Sequence, residues 1–279
     1  MTDEQDLKNF EKEYPYPDKI GIESLFKFSK FDIGRIQYLE ELFVLGKLYH
    51  SLPGDFNDPF ECKPHFNWSN NPSQVRIIHK HLVNVALKNG HKIKEAESLI
   101  SDSMKKSEFM QESIYDSVQK TLSKTRICCF TTKKENLLFW SHYADSHKGF
   151  CVEYNATLFP ISSAYKVKYE NKYPVVIYPS PPNALGLKPV LIKSKEWAYE
   201  EEFRTIFVPY PKLQPTNDGA SLILNGSEMK NVYLGAKMDD DCKDALIDMI
   251  NRGPFNPGIW DVSLSKTSFK LEFDERQKA

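Results

Sequence analysis

An α+β fold, with a mixed, mostly antiparallel sheet and a helical insertion around residues 72–124, is what this sequence predicts. Three observations carry that expectation. Short stretches of alternating apolar residues, such as "SAYKVKYE" and "EFRTIFVP", are scattered over the whole chain. Helical segments fall between them without the regular strand–helix–strand alternation of a parallel sheet. Residues 72–124 stand apart, because apolar side chains recur there at three- and four-residue steps.

Taken in order, residues 1–20 read as a flexible leader, 21–274 as one domain that includes the insertion, and 275–279 as a tail. "SLFKFSKF" reads as a strand. "DIGRIQYLEELF" reads as a helix, with Asp32 at the N-cap and Ile33, Ile36, Leu39 and Phe43 at helical spacing. "VLGKLYHS" reads as a strand after a tight turn at Gly46, and "LPGDFNDPFECKPHF" as a loop. Within the insertion, Val75, Ile78, Leu82 and Val85 mark one helix. Ala96, Leu99, Ile100 and Met104 mark the next, and Ile114, Val118 and Leu122 a third.

"RICCFTT" returns to strand, "KENLLFWSHYADSH" to helix, and "KGFCVEYN" and "SAYKVKYE" to strand. "NALGLKPVLIKSKEW" reads as an interrupted helix or a loop, because Pro189 denies a helix a donor. "EFRTIFVP" and "NVYLGAKM" are strands. "DDDCKDALIDMINR" is a helix whose acidic start suits its dipole, and "WDVSLS" and "SFKLEF" close the sheet.

Composition bounds the function. The chain has 279 residues, 41% hydrophobic and 13% aromatic, which is enough to build a packed core. Its 37 basic and 38 acidic residues nearly cancel. That balance argues against a protein built to coat nucleic acid or an anionic membrane, while leaving a local basic groove open. Neither a membrane-spanning run nor a signal-like start is visible, so a cytoplasmic protein is expected. The five cysteines, Cys62, Cys128, Cys129, Cys151 and Cys242, are scattered and odd in number, which fits reduced thiols. No CxxC pair offers a zinc site, and His142 and His147 are five apart rather than the four that one helix face prefers.

Three stretches have the residue types for chemistry. In "LYHSLPGDFNDPFE", His50 ends a strand, and Asn57, Asp58 and Glu61 lie in the loop that follows; Asn57-Asp58-Pro59 reads equally as an ordinary turn. In "FTTKKENLLFWSHYADSHKGFCVEY", Trp140 and Tyr143 are amphipathic rings suited to line a pocket, although the residue pattern itself places Trp140 in the core. In "KSKEWAYEEEFRTIF", strand alternation puts Glu202, Arg204 and Ile206 on one face, and Phe203, Thr205 and Phe207 on the other. Glu202 beside Arg204 is then either a surface ion pair or a carboxylate oriented by a guanidinium at the mouth of a cleft flanked by Trp197 and Tyr199. Residues 166–195 carry a local net charge of about +5, a patch that suits phosphate or simply a solvated face.

In this order, the three stretches resemble a bacterial domain-of-unknown-function family, the one numbered twenty-nine seventy-one. The features are NDPFE, W-x-x-Y-A followed by G-F, and W-x-x-E-x-E-F-R, and the resemblance covers about residues 24–265. It implies a bacterial cytoplasmic protein from a group in which some members lie near defence genes. More distantly, the blocks look like those that bind NAD in ADP-ribosyltransferases. That resemblance implies NAD or another nucleotide as substrate and a protein target as acceptor. It implies His50 and Ser51 against the adenosine-side ribose, with Thr131, Tyr143 and Trp140 in the middle block. Glu200 and Glu202 correspond to an E-x-E pair, with Glu202 as the catalytic carboxylate. No cofactor motif accompanies these residues. Two other readings stand beside this one. The first is a metal-dependent nuclease or hydrolase using Asp58, Glu61, Glu200 and Glu202. The second is a non-catalytic protein-binding module that uses the aromatic cleft or the helices of 72–124.

Overall fold

The structure is a computed structural model and describes residues 3–66, 71–176, 178–179, 184–207 and 219–277. Its elements run α1 (Asp3–Glu13), β1 (Ser24–Ser29), α2 (Ile36–Phe43), β2 (Lys47–Tyr49) and β3 (His65–Phe66). The insertion follows as α3 (Pro72–Lys88), α4 (Ile93–Lys105) and α5 (Ser107–Leu122). Then come β4 (Arg126–Phe130), α6 (Leu137–His142), β5 (Phe150–Asn155), β6 (Tyr165–Lys166), β7 (Lys168–Glu170) and β8 (Val175–Val176). The chain ends with β9 (Ile192–Ser194), β10 (Phe203–Phe207), β11 (Ser221–Ile223), β12 (Met229–Leu234), α7 (Asp240–Arg252), β13 (Gly258–Leu264) and β14 (Leu271–Glu275).

The main sheet has five strands in the order β1-β5-β12-β13-β14. Only β12–β13 is parallel; the other three pairs are antiparallel. The α+β expectation therefore holds. Alternation along the strands supplies both faces of this sheet. Leu25, Val152, Tyr154, Val232 and Leu234 point to one side, where they meet Phe43 of α2, Leu246 and Ile250 of α7, and Phe130 and Phe203 of a second sheet. Phe26, Phe28, Cys151, Tyr233 and Val262 point to the other side and pack on Phe139 and Trp140 of α6.

The second sheet, β4-β10-β6, positions the site. In the antiparallel β4–β10 pair, Phe203 faces Phe130 and Thr205 faces Cys128 on the core side, while Arg204 faces Cys129 on the other. The expected assignment of faces for 202–207 is the one found over β10; residues 208 and 209, the last of "EFRTIFVP", lie outside the described residues. A close backbone crossing fixes how the chain enters β5. A Cβ on Gly149 would sit 2.2 Å from the Ser29 carbonyl oxygen, so only glycine fits at the head of "GFCVEY".

Several expectations need correction. Residues 3–13, read as flexible leader, form α1, and Phe10 and Tyr14 bury themselves against Leu191. Their i, i+4 spacing was the available signal. "KENLLFWSHYADSH" is helical only over 137–142, because Asp145, Ser146 and His147 take positive φ of 47°, 55° and 72° and turn the chain out of the helix. "SAYKVKYE" divides between two sheets, with β6 on β10 and β7 on β9. In the insertion, Val85 and Leu99 are exposed. Ile78, Ala96, Ile114 and Leu122 are buried as expected, and the seam also takes in Met110, beside Ile78 and Ile114, and Val83 and Ala86, beside Ala96. The insertion joins the body where Leu122 and Val118 meet Ile127, Cys62 and Val190.

Candidate functional site

The three consecutive glutamates of "YEEEF" explain themselves through the backbone. Residues Lys195–Glu200 form a 3-10 helix that ends at Glu201, which sits in the left-handed region at φ 45° and ψ 48°. A non-glycine residue there costs about 1 kcal/mol. The reversal sends Glu201 outward, where it pairs with Lys133 and accepts from the Thr132 hydroxyl at 2.7 Å. It sends Glu200 and Glu202 inward, where both are buried. Two carboxylates two positions apart thus reach one interior point.

That point is the Lys193 ammonium. It lies 2.5 Å from Glu200 Oε2, 2.8 Å from Glu61 Oε1 and 3.4 Å from Glu202 Oε2. Its other neighbour is the Trp197 ring, whose centroid is 4.7 Å away. Arg204 completes the cluster and is fully buried. Its Nε donates to Glu202 Oε1 at 2.7 Å, and one terminal nitrogen donates to Glu202 Oε2 at 2.9 Å and Glu61 Oε2 at 2.5 Å. The other terminal nitrogen donates to the Val190 carbonyl at 2.8 Å. Three buried carboxylates against two cations leave one negative charge in excess, and these bonds offset the desolvation that would otherwise forbid it.

The excess falls on Glu200. Burial raises its proton affinity, and the neighbouring charge of Glu202 adds to that, against the pull of Lys193. Glu202 goes the other way. Burial pushes it up, but Arg204 and Lys193 overcome that and hold its carboxyl at about 2. The pair therefore separates into a fixed anion and a carboxyl with raised proton affinity, the division that acid–base chemistry uses. Glu200 Oε1 accepts from the Tyr143 hydroxyl at 2.6 Å, and Asn57 Nδ2 reaches that hydroxyl at 3.5 Å. Burial and Glu200 both raise the phenol of Tyr143, so it stays a donor.

Glu61, Glu200, Glu202 and Lys193 form one wall of a hollow of about 330 Å³. Tyr143, Asn57, Ser51 and the rings of Phe26, Phe28, Phe56 and Phe139 line the rest. Lys27 also borders it; its ammonium hydrogen-bonds to Cys128, feels the charge of Glu202, and lies 6.0 Å from the Phe130 ring centroid. A pocket of this size, with aromatic walls and a few convergent polar groups, is the usual form of a small-molecule site.

The structure brings together Ser51, Asn57, Glu61, Tyr143, Glu200 and Glu202 of the predicted residues, with Arg204 behind them. It sets others apart. His50 does not border the hollow. It lies on the opposite face of β10, fully buried, with Nδ1 donating to the Leu48 carbonyl and Nε2 2.8 Å from the Thr205 hydroxyl, both at 2.8 Å. Burial lowers its proton affinity to about 3, so it stays a neutral structural ring. Trp140 is a core residue with no exposure, and its indole donates to the Lys134 carbonyl at 2.8 Å. Thr131 acts behind the site: its hydroxyl donates to the Glu200 carbonyl at 2.7 Å and fixes that backbone. Trp197 borders a second, larger hollow, as does Asp58, whose Oδ1 accepts from the Phe60 amide at 2.8 Å.

The four carboxylates considered for a divalent cation are therefore divided. Three surround an ammonium that fills the space between them, and Asp58 serves a turn. Among the described residues, no group of three or more His, Cys, Asp or Glu side chains is arranged to hold a metal ion. Sequence reasoning missed Lys193, which it placed only in a diffuse basic stretch, and it missed Lys27 and Phe139. The signal for Lys193 was its place at the head of "KSKEWAYEEE", where two buried glutamates need a cation.

Compared with known proteins, the chain matches no family model, no curated protein and no solved structure. Among the described residues, no helix is long and apolar enough to cross a membrane.

Proposed function

We propose that this chain cleaves the N-glycosidic bond of an NAD-like nucleotide and passes the ribosyl group to water or to a nucleophile on a protein target, with Glu200 as the working carboxylate. One observation carries the reading. Glu200 stands in the wall of an aromatic-lined hollow with one oxygen on Tyr143 and the other on Lys193. When the bond from C1′ to the pyridinium nitrogen breaks, its electron pair goes to that nitrogen and nicotinamide leaves neutral. The ribosyl carbon becomes cationic, and a fixed carboxylate beside it lowers the barrier. Water or the acceptor then forms the new bond to C1′ and gives its proton to Glu200, whose raised affinity suits that task.

The resemblance gave Glu202 this role. Its geometry supports a positioning role instead, since Arg204 grips both of its oxygens. The phenyl rings of the hollow suit a flat leaving group, and Lys27 suits the negative charge of a phosphate. Mass analysis of the chain incubated with NAD tests the reading. Free nicotinamide with either ADP-ribose or an ADP-ribosylated protein supports it. Unchanged NAD, with the protein verified as folded and plausible protein acceptors present, would overturn it.

A second reading has its own support. Ile77, Val85, Ile93 and Leu99 are 39–59% exposed on the insertion helices, as a partner-binding surface requires. Loss of a cellular effect on changing these residues, with E200Q harmless, favours a binding module over an enzyme.

A further inference from the structure

The second hollow, of about 890 Å³, is lined mainly by apolar side chains, among them the rings of Phe60, Tyr173 and Trp197. Phe60, Tyr173 and Val175 are 64%, 45% and 57% exposed, so this apolar surface lies open to solvent. An open apolar surface of this kind marks a place where something binds. The charges beside it decide what. Lys193 is taken up by three glutamates, and Glu170 pairs with Lys168 at 3.0 Å. Asp58 is buried, with Oδ1 on the Phe60 amide. Lys63 and Lys172 are different: both line the hollow, both are exposed, and neither has an ion pair among the described residues. The parallel β3–β8 pair sets His65 opposite Val175, and the His65 amide donates to the Pro174 carbonyl at 2.8 Å. The segments that enter this pair, and that carry the two lysines, therefore run side by side. Like charges placed so repel, and an anion between them removes that cost. Glu196, also without an ion pair, stands elsewhere, on the 3-10 helix that carries Trp197.

We propose that this second hollow binds an alkyl carboxylic acid, with its carboxylate between Lys63 and Lys172 and its chain along Phe60, Tyr173, Val175 and Trp197. A flexible chain can follow rings and aliphatic side chains alike, and a hollow of this volume takes a ligand of drug size. The first hollow does not offer the same combination, because Glu61, Glu200 and Glu202 stand in its wall. The second site is thus separate from the nucleotide reading of the first and does not depend on it.

Calorimetric titration with decanoate and with decyltrimethylammonium, the same chain with the opposite charge, tests this directly. Both are kept below their micelle concentrations, and neither is a nucleotide, so the outcome is separate from whether the chain turns over NAD. The wild-type chain is expected to bind decanoate saturably and at least about 10-fold more tightly than the cation, since each exposed ammonium contributes up to about a factor of 5. In K63E/K172E, two changes at exposed positions, that preference is expected to vanish or reverse. F60S, at a ring already largely in water, is expected to weaken decanoate at least about 5-fold, because part of the chain loses its apolar cover. Acetate, the head group alone, should show no measurable binding. Absence of saturable decanoate binding would overturn the proposal, as would equal affinity for the two charged chains. So would a preference unchanged in a folded K63E/K172E. If that variant fails to fold, unchanged decanoate affinity in F60S would overturn it instead.

Discussion

The Tyr143 hydroxyl donates to Glu200 Oε1 across 2.6 Å, which joins the end of α6 to the turn before β10. Residues 57 positions apart in sequence meet there, and the Thr131 hydroxyl holds the Glu200 carbonyl from behind. Glu200 is thus fixed from both its side chain and its backbone. A preorganised carboxylate of this kind need not reorient as charge develops on a substrate.

Y143F tests that bond. The change removes one hydroxyl and leaves the ring, which packs near Phe139 with centroids 5.1 Å apart. Turnover is expected to fall on the order of 10-fold or more, toward the 10²–10⁴-fold range of a lost acid–base partner. Removing the donor also raises the proton affinity of Glu200 further, so the limb of the pH–rate profile that reports its ionisation moves to higher pH. Steady-state rates from pH 5 to 9 measure both effects. A merely structural hydroxyl would leave that limb in place.

K193M is expected to destabilise the fold by about 3–5 kcal/mol, because it strands three buried carboxylates around an uncharged chain. E201Q, one residue from the cluster but on the surface, should cost less than about 1 kcal/mol. Urea unfolding of the two variants measures the contrast. Similar losses would mean that the cluster contributes nothing special to stability.

The acid dependence of stability follows from His50. In the folded chain its proton affinity is lowered from the usual 6.5 to about 3, so between those values the unfolded chain binds the extra proton. Stability is present in full above about 6.5 and is lost as pH falls toward 3, by at most about 1.4 kcal/mol per pH unit. Glu202, held at about 2, adds a loss of the same sign only below its ordinary 4.5. Glu200 acts in the opposite sense: its raised affinity favours the fold below 4.5, and that contribution is lost as pH rises through the folded value. Between pH 6.5 and 4.5, H50Q should therefore show a flatter decline than the wild-type chain in urea titrations.

K27M separates the phosphate from the ring in ligand recognition. Its loss is expected to weaken ADP-ribose binding about 10-fold and to leave nicotinamide binding unchanged, because only the former carries charge for the ammonium to meet. K27R should retain most of the affinity. Calorimetric titration of both ligands against the three proteins checks this.

Much of this arrangement was legible in the sequence, and the reason is local. The alternation in "EFRTIF" assigned Phe203 and Thr205 to one face of β10 and Arg204 to the other without any knowledge of partners. The union of "NDPFE" with "YEEEF" was visible as residue types, but not the cation that joins them. Lys193 lies on a three-residue strand whose neighbours give no periodic signal. His50 was misread because strand position reveals that a side chain is held rigidly, not which side of the sheet it serves. Its partners, Leu48 and Thr205, are set by tertiary pairing alone. The inward turn of Glu200 and Glu202 depends on the left-handed Glu201, a conformation that glutamate does not announce.

Nicotinamide release by the wild-type chain and by E200Q, with melting temperatures recorded beside the rates, tests the central claim most directly. Steady release by the wild-type chain and a fall of at least about 100-fold in E200Q, with the folded state retained, is the predicted result. Equal release by both proteins would contradict it, as would no release from a folded wild-type chain.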